Sequence, residues 1–191
     1  MLRIEATRTV VARSGDALIV SNLGRNTFDL HAAEDRDANF YLFGAMGMAS
    51  SVALGLALAT PARRVIALEG DGALLMNLGS LATIGRYRPS NLVLIVWDNE
   101  QYESTGGQPT FTAHGLDLAR VADSIGGMHV VSVSEPAAFQ AALDHALSAP
   151  GPHVVVAKVR GDGVKRPVPR TPVLFKERFQ GHLAAARSEP S

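Results

Sequence analysis

Short apolar runs bounded by Gly, Pro or Asn alternate along this chain with longer stretches of mixed polarity. The runs predict strands at 17–20, 39–43, 65–68, 91–97, 128–133 and 153–159, and the stretches between them predict helices at 28–35, 46–59, 73–86, 116–125 and 135–148. Strands that alternate with helices in this way indicate a parallel sheet. We therefore expect an α/β fold, doubly wound, with a mainly parallel sheet and helices on both faces.

The remaining segments are a loop and a tail. Residues 99–114 contain Ser, Thr and Gly but no apolar period, which predicts a long loop. Residues 161–191 contain Pro167, Pro169 and Pro172, which predict an extended arm that ends in a short helix at 173–186. We expect one domain over 1–191, with its core at about 15–160.

Two of the predicted strands end on oxygen-bearing side chains. The run at 65–68 leads into Gly70-Asp71-Gly72, and the run at 91–97 leads through Asp98 to Asn99. In an open α/β sheet such strand ends lie at one edge, where ligands bind. Carboxylate and amide oxygens suit Mg²⁺, which completes its coordination with phosphates and water. Gly72 permits close approach of a phosphate, and the amides of a following helix, beginning near Ala73, would face it. The pattern predicts a diphosphate–Mg²⁺ site.

Composition removes several classes of function. The 18 basic and 18 acidic side chains cancel, so nothing favours a nucleic-acid partner. The chain has no cysteine, which excludes disulfides and any iron–sulfur cluster ligated by this chain. The charged N-terminus is not typical of a signal peptide, and we expect a cytoplasmic protein.

An uncharged stretch at 38–62 is long enough to span a bilayer. It contains Asn39, Pro61 and many Ala, Gly and Ser residues, which keep its hydrophobicity low. A strand, a Gly turn and a buried helix explain it better, so no membrane partner is expected.

Gly-Asp-Gly followed about two dozen residues later by Asn resembles the cofactor motif of thiamine diphosphate (ThDP) enzymes. A third element, Gly44-Ala45-Met46-Gly47, resembles the turn that contacts the aminopyrimidine ring in that family. The resemblance implies that the Gly44 carbonyl and the Met46 amide bind this ring. It also implies that the Met46 side chain wedges between the two rings, a role that suits an unbranched apolar side chain.

The resemblance assigns further residues of the site. It implies metal ligation by Asp71, Asn99 and the Gln101 carbonyl, and diphosphate contacts from Gly70, Gly72, Ala73 and the amides of Tyr102 and Glu103. Asn22 and Gly24, after the first strand, would contact the terminal phosphate. Ser104, Thr105, Gln108 and His114 are weaker candidates on the 99–114 loop. Glu100 stands where the family often has Gly, which puts the turn geometry in doubt.

Simpler structural explanations stay open for each of these residues. Gly-Asp-Gly is common in strand-to-helix turns, and 21–24 reads equally well as an ordinary turn. Met46 alone would be read as a core methionine at a helix start.

The family also needs a glutamate that hydrogen-bonds N1′ of the aminopyrimidine, and that residue belongs to a separate pyrimidine-binding domain. The resemblance already occupies about 15–160, so we expect this chain to be half of an active site. The expected partner is a pyrimidine-domain α subunit in an α₂β₂ assembly or a multiple of it.

Within the family, 35–47, 74–84 and 104–110 resemble the sulfopyruvate and phosphonopyruvate decarboxylases. The resemblance implies a carbon–carbon lyase that decarboxylates a small anionic 2-oxo acid. The alternatives are a β chain of an acetolactate synthase-like enzyme or of a 2-oxo acid oxidoreductase, a non-catalytic ThDP-binding module, and a fragment of a longer enzyme. An acetolactate synthase-like enzyme needs a longer chain, and the β chains of 2-oxo acid oxidoreductases typically carry cluster cysteines.

Overall fold

The computed structural model describes residues 1–161 and 168–188, with side chains to residue 185. Its strands are β1 (Leu18–Ser21), β2 (Asn39–Tyr41), β3 (Val65–Gly70), β4 (Leu92–Asp98), β5 (Gln101–Tyr102), β6 (Gln108–Pro109), β7 (His129–Val133) and β8 (His153–Lys158). Its helices are α1 (Arg3–Arg13), α2 (Arg25–Ala33), α3 (Met48–Ala59), α4 (Asp71–Leu75), α5 (Gly79–Tyr87), α6 (Leu118–Ile125), α7 (Pro136–Ser148) and α8 (Pro172–Ser188).

Six strands form one parallel sheet in the order β2-β1-β3-β4-β8-β7. Their side chains alternate between two apolar clusters, one on each face. On β1, for example, Ile19 enters the cluster that also contains Leu30 and Phe139, whereas Leu18 enters the cluster with Leu81. Burial on both faces explains the continuous apolar runs in the sequence. The predicted doubly wound α/β fold is confirmed.

The strand order fixes the position of the ligand crevice. β1 pairs in parallel with β2 on one side and with β3 on the other. The order in which strands are added to the sheet therefore reverses at β1. Crevices of open α/β sheets lie at the carboxyl ends of strands beside such a switch point. The segments after β1, β3 and β4 therefore meet at this edge.

Three parts of the secondary structure differ from the prediction. α1 was missed, although Ile4, Thr7 and Val11 follow helical spacing and are buried. The helix predicted at 73–86 is two helices, because i→i+3 bonds from Asn77 to Leu74 and from Ser80 to Asn77 break the α-helical ladder. The loop at 99–114 contains the β5–β6 pair and two 3₁₀ turns, Glu103–Thr105 and Phe111–His114.

The tail packs on the edge of the sheet through its helix. α8 begins at Pro172, and its Phe175 and Phe179 are buried against the two apolar clusters. The predicted arm falls partly outside the described residues, because 162–167 and 189–191 are not among them. Within the described parts of the chain, no helix combines the length and hydropathy required to cross a membrane.

Candidate functional site

A small cleft lies at the carboxyl ends of β1, β3 and β4, where the strand order places it. Its volume is about 90 Å³. Most of the residues that the sequence singled out line it: Asn22, Met46, Gly70, Asp71, Gly72, Ala73, Asn99, Gln101, Tyr102, Glu103, Ser104 and Thr105. Segments that are distant in sequence are thus brought together.

Asp71 is the buried carboxylate of the cleft. It is 2% exposed, and its Oδ2 lies 2.6 Å from the Thr110 hydroxyl and 3.0 Å from the Thr112 hydroxyl. Burial raises the pKa of Asp71, and the nearby Asp98 carboxylate raises it further. Both effects disfavour an isolated negative charge, so this site favours a bound cation.

Asp98 continues the same hydrogen-bonded group toward the surface. Its Oδ1 accepts from the Thr112 hydroxyl at 2.8 Å, and its Oδ2 lies 2.9 Å from the Lys158 ammonium. Lys158 also contacts Glu100 at 2.6 Å. The lysine compensates the charge of Asp98, which does not line the cleft, whereas Asp71 does.

The turn after β4 presents Asn99 to the cleft. Its Nδ2 donates to Glu103 at 3.3 Å, and its Oδ1 accepts from the Gln101 amide at 3.3 Å. Glu100 has a φ of +62°, in the left-handed region that favours glycine. A glycine, which the resembling family often has here, adopts this conformation without strain. Glu100 adopts the same left-handed conformation at some cost in strain.

Gly72 is required by its neighbours in the folded chain. A Cβ built on it would overlap the Tyr102 ring and would lie 2.9 Å from Cγ2 of Thr110. Gly70, one residue before Asp71, lies beside the amide nitrogens of Asn22 and Asn26. The absence of side chains at both glycines lets the β4 loop and the β1 turn close over Asp71.

The helix after Gly70 is shorter than predicted. α4 spans only five residues, Asp71–Leu75. Because the helix dipole accumulates with length, its end offers a smaller positive potential than a helix to residue 86 would.

The turn at 44–47 is held against this short helix. Ala45 and Gly47 have φ values of +60° and +80°, and Asn77 donates through Nδ2 to the Gly47 carbonyl at 2.9 Å. A Cβ on Gly47 would lie 2.7 Å from Cβ of Asn77. The strained turn is therefore fixed by tertiary contacts, which is typical of functional loops. Met46 projects from it into the cleft lining.

Glu69 joins this turn to the strand that precedes Asp71. It is 0% exposed and accepts from the Ser50 amide at 3.4 Å and from the Gly70 amide at 3.3 Å. Burial raises the pKa of Glu69 to about 7. Its carboxylate contacts the start of α3 and the Gly-Asp-Gly turn together.

The turn after β1 contributes polar groups near α2. Asn22 is buried, and its Oδ1 has no hydrogen-bond partner within the described chain. Asn26, in the first turn of α2, also lines the cleft. A buried acceptor without a partner costs free energy unless a bound group or water satisfies it.

Four predicted residues are not among those that line the cleft. Gly24 lies at its border, where a Cβ would contact the Ser104 side chain. Gly44 is exposed on its turn, Gln108 is exposed and bonds to Thr105, and His114 is exposed at the end of a 3₁₀ turn. The structure thus gives His114 no position beside Asp71.

Other residues of the site were missed by sequence reasoning: Arg3, Arg25, Asn26, Thr110 and Thr112. Arg3 lies on the unpredicted α1, is 2% exposed, and reaches Glu103 at 2.6 Å. Arg25 and Asn26 follow the noted turn directly and could have been found by extending it into the next helix. Thr110 and Thr112 carry no local signal, because their contacts depend on the path of a long loop.

Comparisons with known proteins agree with this fold and cleft. Residues 24–157 match the family described as thiamine pyrophosphate enzyme, C-terminal TPP binding domain. The chain is 42% identical over 185 residues to phosphonopyruvate decarboxylase of Streptomyces viridochromogenes, covering 95% of this chain and 46% of that relative. It is 38% identical over 179 residues to sulfopyruvate decarboxylase subunit beta of Methanocaldococcus jannaschii, covering 93% of this chain and 94% of the relative.

Among solved structures, benzoylformate decarboxylase from Polynucleobacter necessarius superimposes with a TM-score of 0.69 at 18% identity, covering 88% of this chain and 34% of that one. This last likeness supports the fold alone. The chain spans about half of the first relative and nearly all of the second. Together with the family match over most of the sequence, these identities show that the chain belongs to the thiamine pyrophosphate enzyme family, in the branch that contains the sulfopyruvate decarboxylase β subunits and the phosphonopyruvate decarboxylases.

Proposed function

We propose that this chain is the diphosphate-binding subunit of a ThDP- and Mg²⁺-dependent 2-oxo acid decarboxylase. The observation that carries the proposal is the convergence of Asp71, Asn99 and Met46 on one cleft at the switch point of the sheet. The proposed substrate is a small 2-oxo acid with a second anionic group, such as sulfopyruvate or phosphonopyruvate, by analogy with the named relatives.

The residues of the cleft fit a magnesium diphosphate. The Asp71 carboxylate, the Asn99 amide oxygen and the Gln101 carbonyl are hard oxygen donors of the kind that Mg²⁺ prefers. Gly70 carries no side chain and its neighbours lie at ordinary contact distance, so its backbone is open to close approach by a phosphate oxygen. The unpartnered Oδ1 of Asn22 is an acceptor that a bound group or its water can satisfy. A cation would also relieve the cost of the buried Asp71 charge.

The chemistry itself belongs to the cofactor, which when bound supplies the electron sink for the pair released as CO₂ leaves. This chain's residues bind and orient. Asp71, Asn99 and Gln101 anchor the diphosphate end through the cation. Met46, which lines the cleft, would separate the two rings of the bound cofactor, and backbone groups of the 44–47 turn would bind its aminopyrimidine ring.

Two observations support a second chain. The cleft beside Asp71 has a volume of about 90 Å³, below the roughly 300–1,000 Å³ of pockets that enclose a whole ligand, which supports a cofactor site completed by a second chain. Among the described residues, the glutamate that lines the cleft is Glu103, and its carboxylate is already engaged by Arg3. We propose that the glutamate for N1′ comes from a pyrimidine-domain α subunit.

The surface proposed for this α subunit is the outer face of α3 next to the cleft. Met48 and Leu58 are exposed there, and α3 carries no charged residue. Gly55 is exposed with open space above it, which allows close approach of another backbone. An uncharged helical face beside a ligand cleft is typical of a subunit contact.

The experiment is a reconstitution. The full chain is assayed for CO₂ release with saturating ThDP and Mg²⁺, alone and with a pyrimidine-domain subunit, on sulfopyruvate, phosphonopyruvate and pyruvate. We expect release only from the mixture, and faster from the two substrates with a second anionic group. Turnover by the purified chain alone would overturn the divided site, and equal rates with pyruvate would overturn the proposed substrate class.

A further inference from the structure

Asn99 has two chemically different ends, and only one can serve a cation. Its carboxamide carries an oxygen that can ligate Mg²⁺ and a nitrogen that can only donate hydrogen bonds. Which end faces the metal depends on the partners of the other end. Carboxylates are acceptors only, so a carboxylate beside Asn99 must face its nitrogen.

Glu103 is that carboxylate. Its Oε2 accepts from Nδ2 of Asn99 at 3.3 Å, while Oδ1 of Asn99 accepts from the Gln101 amide at 3.3 Å. The two contacts agree on one orientation of the amide. If the Asn99 side chain were flipped, its oxygen would face the Glu103 carboxylate, and two acceptors would be opposed.

Glu103 is itself held in place by α1 and α2. Nη1 of Arg3 lies 2.6 Å from the same Oε2, and Nε of Arg25 lies 3.6 Å from Oε1. Arg3 is anchored on its other side by Asp29, at 2.7 Å from Nε, and Asp29 is 0% exposed. The chain at Gly161 limits movement in another direction, because a Cβ there would lie 2.8 Å from Oε2.

This arrangement also makes a carboxylate tolerable beside an anionic cofactor. Arg3 and Arg25 together balance the charges of Asp29 and Glu103, so the group adds little net negative potential to the cleft. A carboxylate placed there without such compensation would repel the diphosphate.

We propose that Glu103, clamped by Arg3, is a positioning residue that directs the amide oxygen of Asn99 toward the bound cation. The proposal rests on the proposed magnesium site and deepens it. Partners of this kind behind a metal ligand commonly contribute 10- to 100-fold to metal affinity. The proposal also assigns a function to α1, because this helix positions Arg3 beside Glu103.

The test uses Mn²⁺ in place of Mg²⁺, with its affinity measured by electron paramagnetic resonance on the full chain reconstituted with the pyrimidine-domain subunit at saturating ThDP. We expect Glu103→Ala to weaken Mn²⁺ binding by about 10-fold or more. Arg3→Met should weaken it comparably, because Glu103 loses its clamp. Arg13→Met is the control: it removes another ion pair of α1, to Asp144 at 2.7 Å, which includes neither Asn99 nor Glu103.

A double-mutant cycle separates positioning from a structural role. In an Asn99→Ala background, Glu103→Ala should cause no further loss of Mn²⁺ affinity, because no amide is left to orient. An equal loss in both backgrounds, or an unchanged affinity in Glu103→Ala alone, overturns the inference. If Asn99→Ala alone leaves Mn²⁺ affinity unchanged, the metal site of the proposed function fails, a result distinguishable from failure of Glu103.

Discussion

The Thr110 hydroxyl lies 2.6 Å from Oδ2 of Asp71, although the two residues are 39 positions apart. The contact ties the end of the loop after β4 to the Gly-Asp-Gly turn after β3. Thr112 adds a second hydroxyl at 3.0 Å from the same oxygen. These hydroxyl contacts fix the orientation of the Asp71 carboxylate that lines the cleft.

Thr110→Val tests this relationship with little change in shape. Valine keeps the methyl group that packs beside Gly72 and removes the hydroxyl, so Asp71 loses an orienting donor. We expect Mg²⁺-dependent ThDP affinity to fall by about 10-fold or more, measured by isothermal titration calorimetry. Thr83→Val, at an exposed position on α5, is the control and should not change it. Native affinity in Thr110→Val would contradict the role of the hydroxyl.

Glu100 provides a test of strain in the turn that carries Asn99. Because its φ is +62°, replacement by Gly should relieve about 1 kcal/mol of backbone strain, while replacement by Ala should not. Both variants lose the exposed contact to Lys158, whose loss costs little. We therefore expect Glu100→Gly to be more stable than Glu100→Ala by about 1 kcal/mol in urea unfolding. Equal stabilities would mean that the turn is not strained at this residue.

The sequence predicted those parts of the structure that a local pattern of residues determines. Buried parallel strands are apolar on both faces, so β3 and β4 and the polar residues at their ends were recognisable. α1 was missed because charged residues such as Arg3 interrupt its apolar period, and a fully buried arginine is rare. Thr110 and Thr112 were missed because Asp71, which both contact, is about 40 positions away, and no local pattern encodes the path of the loop.

His153, the first residue of β8, makes the stability of the fold depend on pH. Burial lowers the pKa of His153, and the neighbouring His129 and His145 lower it further. The unfolded chain therefore binds the proton at a higher pH than the folded chain does. The contribution of neutral His153 to the free energy of unfolding is fully present above the ordinary histidine pKa of 6.5. It is lost as pH falls below that value toward the lowered pKa of the folded chain.

We expect this loss to be smaller in His153→Gln than in the native chain, with stabilities normalised at pH 8 and followed to pH 5 by urea unfolding. Glu69, whose pKa burial raises to about 7, shifts stability in the opposite direction over part of this window. The comparison between variant and native chain removes that contribution, because Glu69 is present in both. Parallel curves would show that His153 does not carry the dependence.

The central claim is that Asp71 anchors the diphosphate of ThDP through Mg²⁺. Its most direct test is calorimetric titration of ThDP, with and without Mg²⁺, into the chain reconstituted with the pyrimidine-domain subunit. The native chain is compared with Asp71→Ala and with Asp123→Ala, a matched control at an exposed aspartate of α6. Circular dichroism should show the same fold for all three proteins. The account predicts Mg²⁺-dependent binding in the native chain and in Asp123→Ala, and none in Asp71→Ala. Unchanged, Mg²⁺-dependent affinity in a folded Asp71→Ala would contradict it.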